Sequence, residues 1–124
     1  MELTAEELWA CLPGGYLLTI AIEIPILLIG LSPSHRRDRR LIAGCWLTAC
    51  TYPIVILVLP WMVGTRWGYA AYLAVAETFA PVAECLLFRA AFPIPSHRTA
   101  ALRDMAAIVV ANIVSFVVGL WISI

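Results

Sequence analysis

Three glutamates inside long apolar stretches are the residues of this 124-residue sequence best placed to do chemistry. Glu23 lies about ten residues into the stretch 13–31, and Glu77 about nine residues into the stretch 68–92. In helices rising about 1.5 Å per residue, these depths are about 15 and about 14 Å, near the middle of a hydrocarbon core about 30 Å thick. Because an acid there costs about 2.5–3.5 kcal/mol, we expect these residues to have a function or partners.

Glu84 extends this acidic pattern on the second of these stretches. It follows Glu77 by seven residues, so the two share a helix face, and it lies about 10 Å further along. Two interpretations are open. In the first, Glu77 and Glu23 are midplane sites for a proton or cation, and Glu84 passes charge toward the cytoplasm. In the second, the three acids are protonated or paired within a structural network between helices.

Hydroxyl and amide side chains occur at matching depths in the other two apolar stretches. The candidates are Thr48, Thr51 and Tyr52 within 41–63, and Asn112 and Ser115 within 105–124. Ser115 is expected near the depth of Glu23 and Glu77, and Asn112 nearer that of Glu84. Since small and polar residues also join membrane helices, these partners fit both interpretations.

Prolines interrupt three of the four stretches. Each lacks an N–H group and frees the carbonyl four residues earlier, and for Pro81 that carbonyl belongs to Glu77. The others are Pro25, Pro53 and Pro60. Kinks at these positions can open a cavity between helices, or they can serve packing alone.

The cysteines and histidines are not spaced as a metal or redox site. Cys45 and Cys50 lie about 140° apart around a helix, no Cys-x-x-Cys pair occurs, and His35 and His97 lie outside the apolar stretches. We therefore expect no metal site, no cofactor and no catalytic residues, and we expect that the chain is not an enzyme.

Four membrane-spanning helices are the elements that must position the acids. Hydrophobic residues make up 63% of the chain and charged residues 13%, whereas a soluble domain averages about 45–50% and about 25%. The stretches 13–31, 41–63, 68–92 and 105–124 are each close to the roughly 20 residues that cross a bilayer. The sequence predicts an all-α integral membrane protein, one domain over 1–124 with short loops. Its zero net charge offers no basic field for nucleic acid.

A separate short helix is predicted before the first span. Thr4 and Glu7 have the spacing of a capping box, and residues 3–11 have a composition suited to the membrane interface. The run Pro13-Gly14-Gly15 is expected to break the chain before the span begins. The acidic start of the sequence lacks the positive charge of a secretory signal peptide.

The arginines predict the orientation in the membrane. Successive connections, with their flanks, carry four, one and three arginines, so the positive-inside rule places both termini outside the cytoplasm, in a bacterial inner membrane. The first connection either sets topology alone or binds anionic lipid or an acidic partner. Its arginines are Arg36, Arg37, Arg39 and Arg40.

These features predict a small transporter or channel-like protein for protons or cations. The alternative is a non-transporting membrane subunit or assembly factor that binds other membrane proteins through a polar helix–helix network. Because four helices enclose little space, we expect a homo-oligomer or a membrane-protein partner besides the lipid bilayer. A weak internal echo, Glu23 with Pro25 and Glu77 with Pro81, suggests a parallel duplication of a two-helix unit.

Overall fold

The computed structural model describes residues 4–123, which form four long helices and no strand. Helix α1 is Ala5–Gly30, α3 is Tyr69–Ala91 and α4 is Arg98–Ser123. Helix α2, Arg37–Trp67, contains two π-helical segments, Ile54–Val58 and Pro60–Gly64. All four helices are long and apolar enough to cross a membrane. The predicted all-α architecture is therefore confirmed, and the four candidate spans indicate a multi-pass membrane protein.

Short connections join the helices and define two ends of the bundle. Residues 31–36 and 92–97 lie at one end, which we name the arginine end. The first and last described residues, Thr4 and Ser123, lie at the other, which we name the terminal end. At the terminal end, Gly68 alone separates α2 from α3. Its φ of 90° is sterically allowed for glycine but strained for other residues, so this one-residue turn between α2 and α3 requires glycine.

Helix α1 runs without interruption through Pro13, so the prediction of a separate interfacial helix over 3–11 is wrong. Pro13 has no amide hydrogen, so the carbonyl of Trp9, four residues earlier, lacks its usual helical donor. Both residues are exposed. Gly15 does not break the helix either. A Cβ atom at Gly15 would overlap the Tyr52 hydroxyl, so this glycine makes room for a side chain of α2.

Both ends of α1 are capped by side chains. The predicted capping box is confirmed, because the Glu7 amide donates to Thr4 Oγ1 at 3.3 Å and the Thr4 amide to Glu7 Oε2 at 2.7 Å. At the other end the capping groups come from α2 and α4. Arg40 donates to the carbonyls of residues 28, 32 and 35, and Arg103 to those of residues 29 and 30.

The two π-helical segments of α2 are separated by Leu59 alone, and the second begins at Pro60. The Leu59 amide donates to the carbonyl of Ile54, five residues back, and Pro60 has no amide hydrogen to give. The Val55 carbonyl thus lacks its usual helical donor, and the Tyr72 hydroxyl of α3 donates to it instead at 2.9 Å. The proline therefore creates an acceptor that ties α2 to α3.

The helices form a ring in which each packs against two neighbours, α1 and α3 both against α2 and α4. Helices α1 and α3 thus lie on one diagonal, and α2 and α4 on the other. Gly44 lets α1 and α2 approach closely, since a Cβ atom there would lie 2.6 Å from Ile24 Cγ1. An apolar core fills the arginine half of the ring and contains Leu27, Leu31, Ala43, Leu47, Phe88, Ala107, Ile108 and Ala111.

Candidate functional site

Glu23 and Glu84, each only 3% exposed, lie on the α1–α3 diagonal, and each accepts hydrogen bonds from both helices of the other diagonal. Glu23 accepts from Thr48 Oγ1 at 2.7 Å and from Ser115 Oγ at 2.9 Å. Glu84 accepts from Thr51 Oγ1 at 2.7 Å and from Asn112 Nδ2 at 2.6 Å. The structure thus brings together six of the polar residues singled out in the sequence. The depth matching of Ser115 with Glu23, and of Asn112 with Glu84, is confirmed.

One hydroxyl beside each acid has a second acceptor within reach. Thr51 Oγ1 lies 3.1 Å from the Leu47 carbonyl, and Ser115 Oγ lies 3.0 Å from the Asn112 carbonyl. A hydroxyl carries one hydrogen and two lone pairs. It can therefore donate to an ionised carboxylate, or accept from the protonated acid while donating to the backbone. The geometry accommodates both protonation states of Glu23 and Glu84.

The two acid clusters are equivalent when the halves of the chain are exchanged. Glu23 with Thr48 and Ser115 corresponds to Glu84 with Asn112 and Thr51. The core positions also correspond: Leu27 and Leu31, both buried, follow Glu23 at the same four-residue intervals at which Phe88, buried, and Phe92, partly buried, follow Glu84. This matches a parallel duplication, but it aligns Glu23 with Glu84, not with Glu77.

A sequence signal for this alignment is present at the arginine end. The four residues Pro-Ser-His-Arg occur at 33–36 and again at 95–98, in the two connections that follow α1 and α3. Both copies immediately precede or begin the next helix. The tetrapeptide recurs after 62 residues, within one residue of the spacing of 61 between Glu23 and Glu84, whereas Glu77 follows Glu23 by only 54. The repeat therefore favours Glu84, rather than Glu77, as the counterpart of Glu23.

Glu77 has no acidic counterpart in this symmetry, and its side chain makes no hydrogen bond to the described residues 4–123. It is half-buried, and the hydroxyls of Thr51 and Ser115, which its depth suggested as partners, bond instead to Glu84 and Glu23. In the alignment of the halves, its position corresponds to Tyr16, whose hydroxyl donates to the Cys45 carbonyl. Glu77 is therefore an additional acid with an uncommitted carboxyl group.

All three acids line one cavity of about 260 Å³ between the four helices. Equivalent residues of the two halves contribute to it, including the pair Tyr52 and Phe116. No basic side chain lines it within the described part of the chain. Toward the terminal end its wall includes Tyr69, which is 68% exposed, and toward the arginine end the apolar core follows. The cavity is an acidic chamber in the half of the bundle nearer the terminal end, and the apolar core occupies the half nearer the arginine end.

The arginine end holds a buried pair that the sequence interpretation missed. His35 Nε2 lies 2.8 Å from Asp104 Oδ2, and the Ser32 amide donates to Asp104 Oδ1 at 2.7 Å. Both side chains of the pair are almost fully buried. Asp104 lies immediately before the predicted span 105–124, and α4 actually begins at Arg98, so the acid lies inside the helix and faces the first connection.

The four arginines of the first connection do not form one site. Arg40 is half-buried and caps α1, whereas Arg36, Arg37 and Arg39 are exposed. Arg36 pairs with Asp38 at 3.5 Å, with both side chains largely in the open. Across residues 4–123, the side chains of His, Cys, Asp and Glu form no group that could hold a metal ion, and the four cysteines are free.

Comparison with known protein families, with curated protein sequences and with solved structures finds no match to this chain. We therefore infer the function of this chain from the geometry of the cavity and its acids.

Proposed function

We propose that this chain is a small membrane transporter or channel-like protein that takes up protons or other cations in the cavity between its four helices. The observation that carries the proposal is the uncommitted carboxyl group of Glu77 in a chamber that also contains Glu23 and Glu84. With no basic side chain among the described lining residues, the chamber favours positive charge. An acid with no partner inside an apolar bundle is costly, which favours a functional reason for it.

Glu77 acts in this proposal as the group that first receives the proton or cation. Glu23 and Glu84 act as deeper sites, since Ser115 and Thr51 can bond to either protonation state of their acids. The order differs from that expected from sequence depth, where Glu23 was grouped with Glu77. The hydrogen-bonding pattern instead groups Glu23 with Glu84.

The proposed orientation has the terminal end outside the cytoplasm and the arginine end inside, in a bacterial inner membrane. The arginine distribution supports this orientation. The cavity then faces the outside, and the apolar core around Leu27, Leu47 and Phe88 closes the cytoplasmic side. Transport would require that core to open, and assembly into a homo-oligomer would supply the additional surface that one small bundle lacks.

A second candidate function is a non-transporting subunit that binds other membrane proteins. It is favoured by the complete hydrogen bonding of Glu23 and Glu84, which joins α2 to α4 across the bundle. On this alternative the acids hold the helices together, and Glu77 has no role that depends on its charge.

A proteoliposome flux assay separates the two functions. The purified chain is reconstituted with an internal pH-sensitive dye, and proton flux is followed after a pH jump for wild type, Glu77→Gln and Glu6→Gln. Glu6 is an exposed acid in the first turn of α1 and serves as a matched control. The transport proposal expects flux with wild type and with Glu6→Gln, and background flux with Glu77→Gln. Full flux with Glu77→Gln would refute the role of Glu77 as the proton site, and no flux with wild type would favour the non-transporting subunit.

A further inference from the structure

The size of the cavity and the chemistry of its wall allow the substrate class to be narrowed. A volume of about 260 Å³ is close to the lower limit of small-molecule pockets, about 300 Å³, and far larger than a single ion requires. A water molecule occupies about 30 Å³ of liquid. The chamber therefore has room for an organic molecule of several heavy atoms.

The oxygen atoms of the cavity are poorly suited to an inorganic cation stripped of water. A hard cation such as calcium takes about 6–8 oxygen ligands at about 2.3–2.6 Å. The carboxyl oxygens of Glu23 and Glu84 already accept one short hydrogen bond each, which leaves Glu77 as the uncommitted carboxyl group. Within residues 4–123 no set of acidic or metal-binding side chains could hold a metal ion.

Aromatic rings supply the other part of the wall. Tyr52, Tyr69, Tyr72 and Phe116 line the cavity together with aliphatic side chains. Tyr69 and Tyr72 lie with ring centroids 6.0 Å apart on the same helix as Glu77. Aromatic faces attract alkylammonium ions, and more strongly where water is excluded. The cavity thus combines one uncommitted acid, Glu77, with several aromatic rings in its wall, and this combination suits a quaternary or alkylated ammonium ion.

We propose that the cavity binds a compact organic cation, an alkyl- or arylammonium ion, with its charge beside Glu77 and the Tyr69–Tyr72 pair and its apolar part toward α1 and α4. This inference rests on the proposed function and names the substrate of the same site. The two acid clusters are equivalent in the two halves of the chain, but Glu77, Tyr69 and Tyr72 all belong to α3. The groups proposed to bind the cation are thus on one side of the cavity. The ion therefore binds off the centre of the bundle, against α3.

Isothermal titration of the purified 124-residue chain in detergent tests the proposal. The probes are tetraethylammonium, choline and the uncharged analogue of choline in which carbon replaces nitrogen. We expect saturable binding of both cations and none of the analogue. Binding should weaken about tenfold or more with Glu77→Gln and with Tyr72→Leu, and remain unchanged with Glu6→Gln. Tyr72→Phe keeps the ring and should retain most of the affinity.

The outcomes distinguish this inference from the proposed function. If wild type carries Glu77-dependent proton flux but binds neither ammonium ion, the substrate class is wrong and proton transport stands. Equal binding of the uncharged analogue, or equal competition by sodium, would also overturn the substrate class. If ammonium ions bind through Glu77 while proteoliposomes show no flux of protons or of the bound ammonium ion, binding is upheld and transport is refuted. A helical spectrum equal to that of wild type is required of each variant.

Discussion

Replacing Thr51 by valine should destabilise the bundle through the loss of one hydrogen bond. Thr51 is 3% exposed, and valine has nearly the same shape, so packing is preserved and the change isolates the hydroxyl. The lost contact is the 2.7 Å bond to Glu84, which would leave that carboxyl with Asn112 alone. The Thr51 hydroxyl also lies within hydrogen-bonding distance of the Leu47 carbonyl, which allows it to bond to Glu84 in either protonation state of the acid. Valine has no hydroxyl and loses both bonds.

The size of this effect can be bounded from general magnitudes. Interhelical hydrogen bonds in a membrane protein average about 0.6 kcal/mol and reach about 1.7 kcal/mol. A buried polar group left without its partner costs about 1–3 kcal/mol. Because the Thr51–Glu84 contact is short and its acceptor is a buried carboxyl, we expect a loss of about 1–2 kcal/mol in the free energy of unfolding.

Thermal unfolding in detergent, followed by circular dichroism, measures the effect against a matched control. Thr78 lies exposed on α3 and bonds only to the Ala74 carbonyl of its own helix, so Thr78→Val should stay within about 0.5 kcal/mol of wild type. For a domain of this size, a loss of about 1–2 kcal/mol lowers Tm by several degrees. Equal Tm values for the two variants would refute the assignment of Thr51 as a partner of Glu84. A double variant with Glu84→Leu should lose less than the sum of the single changes.

Three further predictions concern other parts of the fold. Asp104→Asn should lower the free energy of unfolding by about 1–3 kcal/mol, because the single amide oxygen can accept from only one of Ser32 and His35. Unchanged thermal unfolding would contradict a stabilising role for the His35–Asp104 pair. Gly44→Val should disrupt the contact of α1 with α2, since a Cβ atom would lie 2.6 Å from Ile24, and a variant that purifies and unfolds as wild type does would refute this close packing. A reporter fused after α4 that is active only in the cytoplasm should be silent, whereas strong signal would reverse the proposed orientation.

The sequence predicted one partner of each buried acid, because depth along a helix follows directly from residue count. It also placed Glu84 about 10 Å deeper than Glu23 and Glu77, whereas the hydrogen bonds make Glu84 the equivalent of Glu23. The rise per residue placed Ser115 at the level of Glu23 and Asn112 at that of Glu84, and both pairs form. Residue count does not predict which helices are neighbours in the bundle. Which helix lies diagonal to which depends on packing, and this is why Thr51 bonds to Glu84 and leaves Glu77 uncommitted.

Local sequence patterns gave wrong predictions where contacts between helices determine the structure. Pro13 and two glycines look like a helix break, but the exposed proline is tolerated and Gly15 makes room for Tyr52. The apolar stretch 105–124 gives no sign that Asp104 lies inside a helix. Helix α4 begins earlier, at Arg98, and places this acid against His35. The duplication was aligned on glutamate–proline pairs, although the hydrogen bonds relate Glu23 to Glu84.

The central claim is that Glu77 is the accessible, uncommitted acid of the cavity while Glu23 and Glu84 are held by their partners. Reaction with a hydrophobic carbodiimide, followed by peptide mass mapping, tests this directly in the folded protein in detergent. We expect modification at Glu77 alone in the folded protein, and modification of all three acids only after denaturation. Modification of Glu23 or Glu84 at the same rate as Glu77, or an unreactive Glu77 in the folded protein, would contradict it.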